Sequence, residues 1–235
     1  ANNQAMRVSA SRYVLLLNSD TEIRPGALDS LVRFMELHPQ AGAAGAYLLN
    51  PDGTLQESCY PTPTLSRELW RLLHLDALRP YGVYHMADWD ANTPREIEAA
   101  MGACLILRRS ALDQVGLLDE DYFFYTEEID LCYRLRQGGW RIYWVPDARV
   151  LHYGGQSSKA VAEESFLRLY QSKVLYFRKR HGEPAAQAYK LILGFIGLAR
   201  LLLSPLAHLE NSSRRERHLS LSRLYSRLLV ALPRM

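Results

Sequence analysis

Tyr13-Val14-Leu15-Leu16-Leu17-Asn18-Ser19-Asp20 is the stretch on which the reading of the fold turns. Five apolar residues follow one another without alternation, and such a run fits a short strand covered on both faces, as in α/β sheets. Asn18-Ser19-Asp20 ends it. Pro25-Gly26 then opens a helix predicted over Ala27–Leu37, with Leu28, Leu31, Val32 and Met35 on one face, and His38-Pro39 closes it. Ala41–Leu49 reads as a second strand and Asn50-Pro51-Asp52-Gly53 as a turn. Upstream, Ala5–Ser11 reads as the end of a helix. The chain opens Ala1-Asn2-Asn3 without an initiator Met or a signal sequence, so the reading is expected to start inside a domain.

Downstream, Pro61–Pro94 shows no clear period and is read as a long, aromatic-rich excursion over the surface. Met101–Leu107 is predicted as an apolar strand, Arg108–Val115 as a short helix, and Tyr122–Arg136 as an acidic cluster running into helical spacing at Ile129, Cys132, Tyr133 and Leu135. Gly138-Gly139 breaks that helix. Trp140–Val145 follows as a strand ending at Pro146, and Val150–His152 as a last β segment. From Val161 the pattern is helical, with Phe166, Leu169, Tyr170, Val174 and Phe177 on one face.

The 235 residues, 48% apolar and 23% charged, suffice for a large core and exclude a disordered chain. Three separated cysteines, Cys59, Cys104 and Cys132, support neither a disulfide framework nor a structural zinc site, and a reducing compartment is the simplest reading. The net charge of +3 hides an asymmetry. Residues 1–158 carry 14 Lys and Arg against 20 Asp and Glu, a net −6, whereas residues 159–235 carry 14 against 5, a net +9. The expected organisation is therefore an α/β core over 1–158 and a basic, amphipathic helical region over 159–235, divided near Ser157–Lys159. An acidic body suits metal chemistry and a basic tail suits an anionic surface. No finger, P-loop or RNP signature accompanies the tail, which argues for lipid headgroups and against nucleic acid.

Three places carry candidate chemistry. Asp20 stands just past the end of an apolar strand, where α/β sheets bind ligands, and a carboxylate there suits Mg²⁺ or Mn²⁺; capping the next turn is the plainer alternative. Glu127, Glu128 and Asp130 crowd three carboxylates into four residues, so at least one should be hard to ionise unless a cation or an Arg sits among them. A shielded carboxylate suits a general base, although the acids could equally serve the dipole of a helix N-terminus. His152, before Gly154-Gly155, could point a nitrogen at a metal or be a satisfied core residue. Asp88-Trp89-Asp90 matches a bare Asp-x-Asp string but lies in the irregular excursion and is read as a surface loop. Asn211-Ser212-Ser213 matches a glycosylation acceptor string and carries almost no weight without a secretory signal.

In order along the chain stand Ala-Asn-Asn (1–3), Leu-Leu-Leu-Asn-Ser-Asp-Thr-Glu-Ile-Arg-Pro-Gly-Ala-Leu (15–28) and Gly-Ala-Cys-Leu-Ile-Leu-Arg-Arg (102–109). Gly-Leu-Leu-Asp-Glu-Asp-Tyr-Phe-Phe-Tyr-Thr-Glu-Glu-Ile-Asp-Leu-Cys-Tyr-Arg-Leu (116–135) and Gly-Trp-Arg-Ile-Tyr-Trp-Val-Pro-Asp-Ala-Arg-Val-Leu-His-Tyr-Gly-Gly (139–155) follow. Together they resemble the family 2 glycosyltransferases, most nearly a bacterial rhamnosyltransferase-like subgroup, from Ala1 to about Lys179. The resemblance implies a GT-A fold, a Rossmann-like sheet, and inverting transfer of a sugar from a nucleotide-diphosphate donor. It implies Asp20, within Asn18-Ser19-Asp20, and His152 as ligands of a divalent metal, Mn²⁺ or Mg²⁺, and Glu128 as the base, where the family more often has Asp. It places Asn3 and Asn18 near the donor nucleotide, and Asp119, Glu120, Glu127 and Trp140 on the acceptor side. The family's first strands, which hold the nucleobase, would precede Ala1. At the subgroup level the sugar is rhamnose and the acceptor a cell-surface polysaccharide or lipid-linked saccharide. The competing readings are an inactive membrane-associated assembly subunit of the same fold and a nucleotidyltransferase.

Tyr189–Leu209 is apolar apart from Lys190 and Arg200, and Ser204-Pro205 interrupts it. Arg214, Arg215, Arg217, Arg223 and Arg227 then alternate with leucines. That pattern predicts a helix lying in the headgroup region on the cytoplasmic face of the membrane, with packing on protein and a true span as the alternatives.

Overall fold

The computed structural model describes residues 1–154, 162–205 and 212–235. The predicted boundary at Ser157–Lys159 and Asn211 of the glycosylation string lie outside them. The elements are α1 (Asn2–Val8), β1 (Tyr13–Leu17), β2 (Thr21–Ile23), α2 (Ala27–Leu37), β3 (Ala41–Leu49), β4 (Cys59–Tyr60), α3 (Leu65–Leu72), β5 (Arg95–Ile97), β6 (Ala99–Ala100), β7 (Cys104–Arg108), α4 (Arg109–Val115), α5 (Glu127–Gln137), β8 (Arg141–His152), α6 (Ala162–His181), α7 (Glu183–Leu203) and α8 (Ser212–Ala231). They form two compact units: Ala1–Pro63 with Leu78–Asp121 and Glu127–Gln156, and Thr64–Ala77 with Tyr122–Thr126 and Ser157–Met235.

The first unit is built on a six-stranded sheet in the order β1-β7-β3-β8-β2, with β5 also paired to β8. β3 and β8 run parallel; the pairs β1–β7, β3–β7, β2–β8 and β5–β8 are antiparallel. The sheet is therefore mixed, and β1 is an edge strand whose only neighbour among the described residues is antiparallel; its side chains alternate between the two cores, Val14 and Leu16 on one face and Tyr13 and Leu15 on the other, so both its faces are covered. The centre is β3, whose small residues let neighbours close in: a Cβ on Gly42 would lie 2.7 Å from the Trp140 Cβ.

α2 covers one face, burying Ala27, Leu31, Phe34 and Met35 against Ala44, Ile106, Val145 and Val150. Each such apolar side chain contributes about 1.5–3 kcal/mol on burial. The buried stripe is rotated from the predicted one, for Leu28 and Val32 stand exposed. The opposite face packs on α4 and α5 through Ala111, Leu112, Leu131, Cys132 and Leu135. Arg108 ties the strand end to α2, donating to the carbonyls of Met35, His38 and Ala41 at 2.6–3.0 Å.

Two predicted strands around Pro146 are one. β8 continues through it, with the register to β3 jumping from Ala46↔Val145 to Tyr47↔Arg149. Pro146 has no N–H for a ladder and sits in that irregularity, where none is required. The jump also marks a change of partner: the first half of β8 pairs β5 and the last residues pair β2.

The second unit is helical. α6, α7 and α8 pack on one another and α3 packs on α7. α3 lies within the stretch read as irregular; its Thr64 hydroxyl caps it by accepting from the Arg67 N–H at 3.2 Å. Its Glu68 is buried and accepts from Lys173 of α6 at 2.7 Å, from Tyr189 of α7 at 2.9 Å and from Arg71 at 2.9 Å. α8 turns Tyr225 and Leu228 into this unit, and Leu229 covers Gly197 of α7. Of the α8 leucines expected to enter lipid, Leu228 and Leu229 are thus packed within this unit, and Leu219, Leu221 and Leu224 are half-buried.

Candidate active site

Asp20 and His152 meet because of the pairing of β2 with β8. Thr21 is opposite His152 in the ladder, and the Tyr153 N–H donates to the Asp20 carbonyl at 2.9 Å. The Asp20 Oδ1 then lies 3.3 Å from the His152 Nε2, and the Asn18 Nδ2 lies 3.4 Å from the same nitrogen. Gln56 sets the imidazole. Its Nε2 donates to Asn50 Oδ1 at 3.0 Å and to the His152 carbonyl at 3.3 Å, so its Oε1 is the atom 2.6 Å from His152 Nδ1. That assignment of the amide puts the proton on Nδ1 and the lone pair on Nε2, facing a carboxylate oxygen. Two acceptors at that distance call for a cation or a proton between them. An imidazole nitrogen with a carboxylate oxygen is a donor set that Mn²⁺ and, less closely, Mg²⁺ accept. Among the described residues, no group of three or more His, Cys, Asp and Glu side chains converges as a metal site, so these two residues fit part of a coordination sphere. Gly154 keeps the corner open: its φ is +60°, and a Cβ there would lie 3.3 Å from the Gln56 Nε2.

The three crowded carboxylates at the start of α5 are separated by their environments. Asp130 is fully buried and takes the Arg134 Nε at 2.9 Å, while the rest of that guanidinium donates to the carbonyls of Val115, Gly116 and Leu117. Among the described residues, Glu127 and Glu128 have no such cation. Each has a buried Oε2 without a hydrogen-bond partner among the described residues. Burial raises the pKa of both, and for Glu128 burial together with the neighbouring Glu127 charge pushes it up to about 8. Gly102 lies against Glu128, for a Cβ on it would stand 3.7 Å from the Glu128 Cβ. The next residue, Ala103, accepts the Asn18 N–H at 3.0 Å, and Leu17 pairs with Cys104. The end of β1, the approach to β7 and the first turn of α5 are thereby linked at one edge of the sheet, and they carry Asp20 and Glu128.

The remaining predicted residues have other partners. Asn3 is buried and exchanges hydrogen bonds with the backbone of Leu118 at 2.8 and 3.1 Å, and it donates to Glu120, which also takes Arg7 at 2.7 Å. Asp119 accepts the Asp121 N–H at 3.1 Å. The Trp140 indole donates to Gln114 at 2.8 Å. Asp90 of the Asp-x-Asp string is occupied by Asn92 and Thr93 in its own turn. Sequence reading passed over Gln56, which no local pattern marks, and Gly102, which small residues before an apolar strand could have flagged.

The family profile described as glycosyltransferase-like family 2 matches residues 1–170. The chain belongs to glycosyltransferase family 2. Its mixed α/β sheet with a C-terminal helical region is of the GT-A class that this membership implies. The family 2 chain is similar to an N-acetylglucosaminyl-diphospho-decaprenol L-rhamnosyltransferase of Mycobacterium tuberculosis, 30% identical over 177 residues, which cover 72% of this chain and 56% of the relative. It is similar to the rhamnosyltransferase WbbL of Escherichia coli, 29% identical over 182 residues, covering 72% and 62%. The O-antigen biosynthesis protein RfbC of Myxococcus xanthus is 30% identical over 165 residues, covering 68% of this chain and 12% of the relative. The chain thus spans about half the length of the first of these curated relatives.

Proposed function

We propose that this chain carries out inverting transfer of a sugar, rhamnose by analogy with the named relatives, from a nucleotide-diphosphate donor to a hydroxyl of a saccharide or lipid-linked acceptor. The observation that carries the reading is Glu128: a half-buried carboxyl whose Oε2 is buried and, among the described residues, without a hydrogen-bond partner, held reluctant to ionise, beside the space left by Gly102. Glu128 takes the proton of the acceptor hydroxyl as its oxygen bonds to the anomeric carbon. The bond from that carbon to the diphosphate breaks, and the nucleoside diphosphate leaves with the electron pair. A divalent cation held by Asp20 and His152 would supply the positive charge that the departing diphosphate needs. Gln56 keeps the His152 Nε2 lone pair directed at that position, and Asn18 closes it from the side. Glu127 is raised by burial as well, and its charge adds to the cost of ionising Glu128.

Asp20→Asn and His152→Ala should each weaken Mn²⁺-dependent binding of a nucleotide-sugar by roughly 10–100-fold, the size of effect seen when the surroundings of a metal site are disturbed. Asp88→Asn and Asp90→Asn should leave it unchanged. Calorimetric titration of thymidine-diphosphate-rhamnose, with Mn²⁺ and with chelator, measures this. Binding that ignores the chelator, or a large loss at Asp88, would remove Asp20 and His152 from the metal role. Donor binding without any turnover on a panel of saccharide acceptors would instead favour the non-catalytic assembly subunit.

A further inference from the structure

α7 has two apolar sides, and the described residues cover only one of them. Ala186, Tyr189, Leu193, Ile196 and Gly197 are buried in the helical unit. Opposite them Leu191, Phe195, Leu198 and Leu202 are 75%, 66%, 56% and 79% exposed, at spacings of four, three and four residues that place them on one face. This stripe is about 16 Å long by helical rise. From Pro184 to Leu203 no charged residue of α7 is exposed: Lys190 and Arg200 are half-buried on the flanks. Solitary surface leucines need no explanation, but an uninterrupted row of large ones does.

We propose that this outward face of α7 docks the protein on an anionic lipid surface, lying in the interface without crossing it. Charge selects the occupant. Residues 159–235 carry a net +9, and Arg215 and Arg223 of α8 and Arg234 after it are exposed in this unit. A second copy applied to the same face would bring a second unit of the same charge, whereas acidic headgroups neutralise it. The helix has the length and composition to span a bilayer, but its inner side forbids that. Tyr189 donates to the buried Glu68 at 2.9 Å, and Arg200 lies 2.6 Å from the His74 imidazole and 5.0 Å from the centre of the Tyr225 ring. A spanning α7 would have to leave these partners or carry them into hydrocarbon. Contact through one stripe, with the polar side still packed on protein, satisfies both faces.

The test is flotation of the whole chain with vesicles of phosphatidylcholine alone and of phosphatidylcholine mixed with phosphatidylglycerol, for the wild type and for Phe195→Gln/Leu202→Gln. Both positions are exposed, so the double variant should keep its circular dichroism and melting temperature. The wild type should float with the mixed vesicles and far less with neutral ones, and the variant should lose about tenfold in partitioning. Equal flotation of wild type and variant overturns the proposal, as does a wild type that ignores acidic lipid. A wild-type dimer that the double variant converts to monomer would give the face to a second copy. Resistance to alkaline carbonate extraction from cell membranes would mean that the helix spans.

Discussion

Glu128→Gln should lower turnover by about 10²–10⁴-fold, the range for loss of a general base, while donor affinity stays within about twofold. The substitution keeps the volume and removes only the ability to accept a proton. Because the folded protein raises this group to about 8, kcat/KM of the wild type should climb through neutral pH and level off above it. The same raised value predicts a gain in stability from losing the charge. A carboxyl whose folded pKa exceeds its unfolded one stabilises fully below the unfolded value, near 4.5, and that contribution is lost as pH rises to about 8. The variant should therefore melt progressively higher than the wild type from about pH 5 to pH 8, by a difference of about a few kcal/mol, with Glu127 retaining its own part of the slope. Thermal melts across that range, run beside single-turnover assays, report both effects. A variant with near-normal turnover, paired with an inactive Glu127→Gln, would move the base by one residue.

In the helical unit the largest effect should come from Glu68→Ala. It would leave Lys173 and Arg71 buried beside each other without their carboxylate, at a cost of about 3–5 kcal/mol. Lys173→Met should cost much less, because Glu68 keeps Arg71 and Tyr189 and the methionine fills the space. Burial by itself would raise the Glu68 pKa, yet Lys173 and Arg71 outweigh it and hold the carboxyl down at about 2. A depressed carboxyl contributes fully above its unfolded value of about 4.5 and loses that contribution as pH falls towards 2. The wild type should accordingly lose stability on acidification below about 4.5 more steeply than Glu68→Ala. Urea unfolding at neutral and acidic pH measures both. A neutral-pH loss below about 1 kcal/mol would show the cluster to be hydrated and unimportant.

Local structure was legible wherever consecutive residues carry the instruction. α2 and β3 have the limits read for them, because Pro25-Gly26, His38-Pro39 and Asn50-Pro51 are signals that act within a turn. Asp20, Glu128 and His152 stood out for the same reason, as charged or ionisable groups next to strand ends and a helix start. Partnership was not legible, because it joins residues far apart in the chain. Arg134 stands one helical turn after Asp130 and its pairing could be read from spacing, but not that the rest of its guanidinium is held by the carbonyls of Val115, Gly116 and Leu117, turned away from Glu127 and Glu128. Asn3 and Glu120, both expected near substrate, meet across 117 residues and hold each other. Pro146 looked like a strand end and is a passage between two partners of one strand, since only the sheet shows where a missing N–H does no harm. Glu68 in a stretch without period became the centre of a buried network once α6 and α7 delivered Lys173 and Tyr189 to it. The tail's helices followed from apolar spacing alone. Which apolar face is spent on packing and which is left outward depends on the neighbours each helix finds, and on α7, not α8, the outward one is apolar.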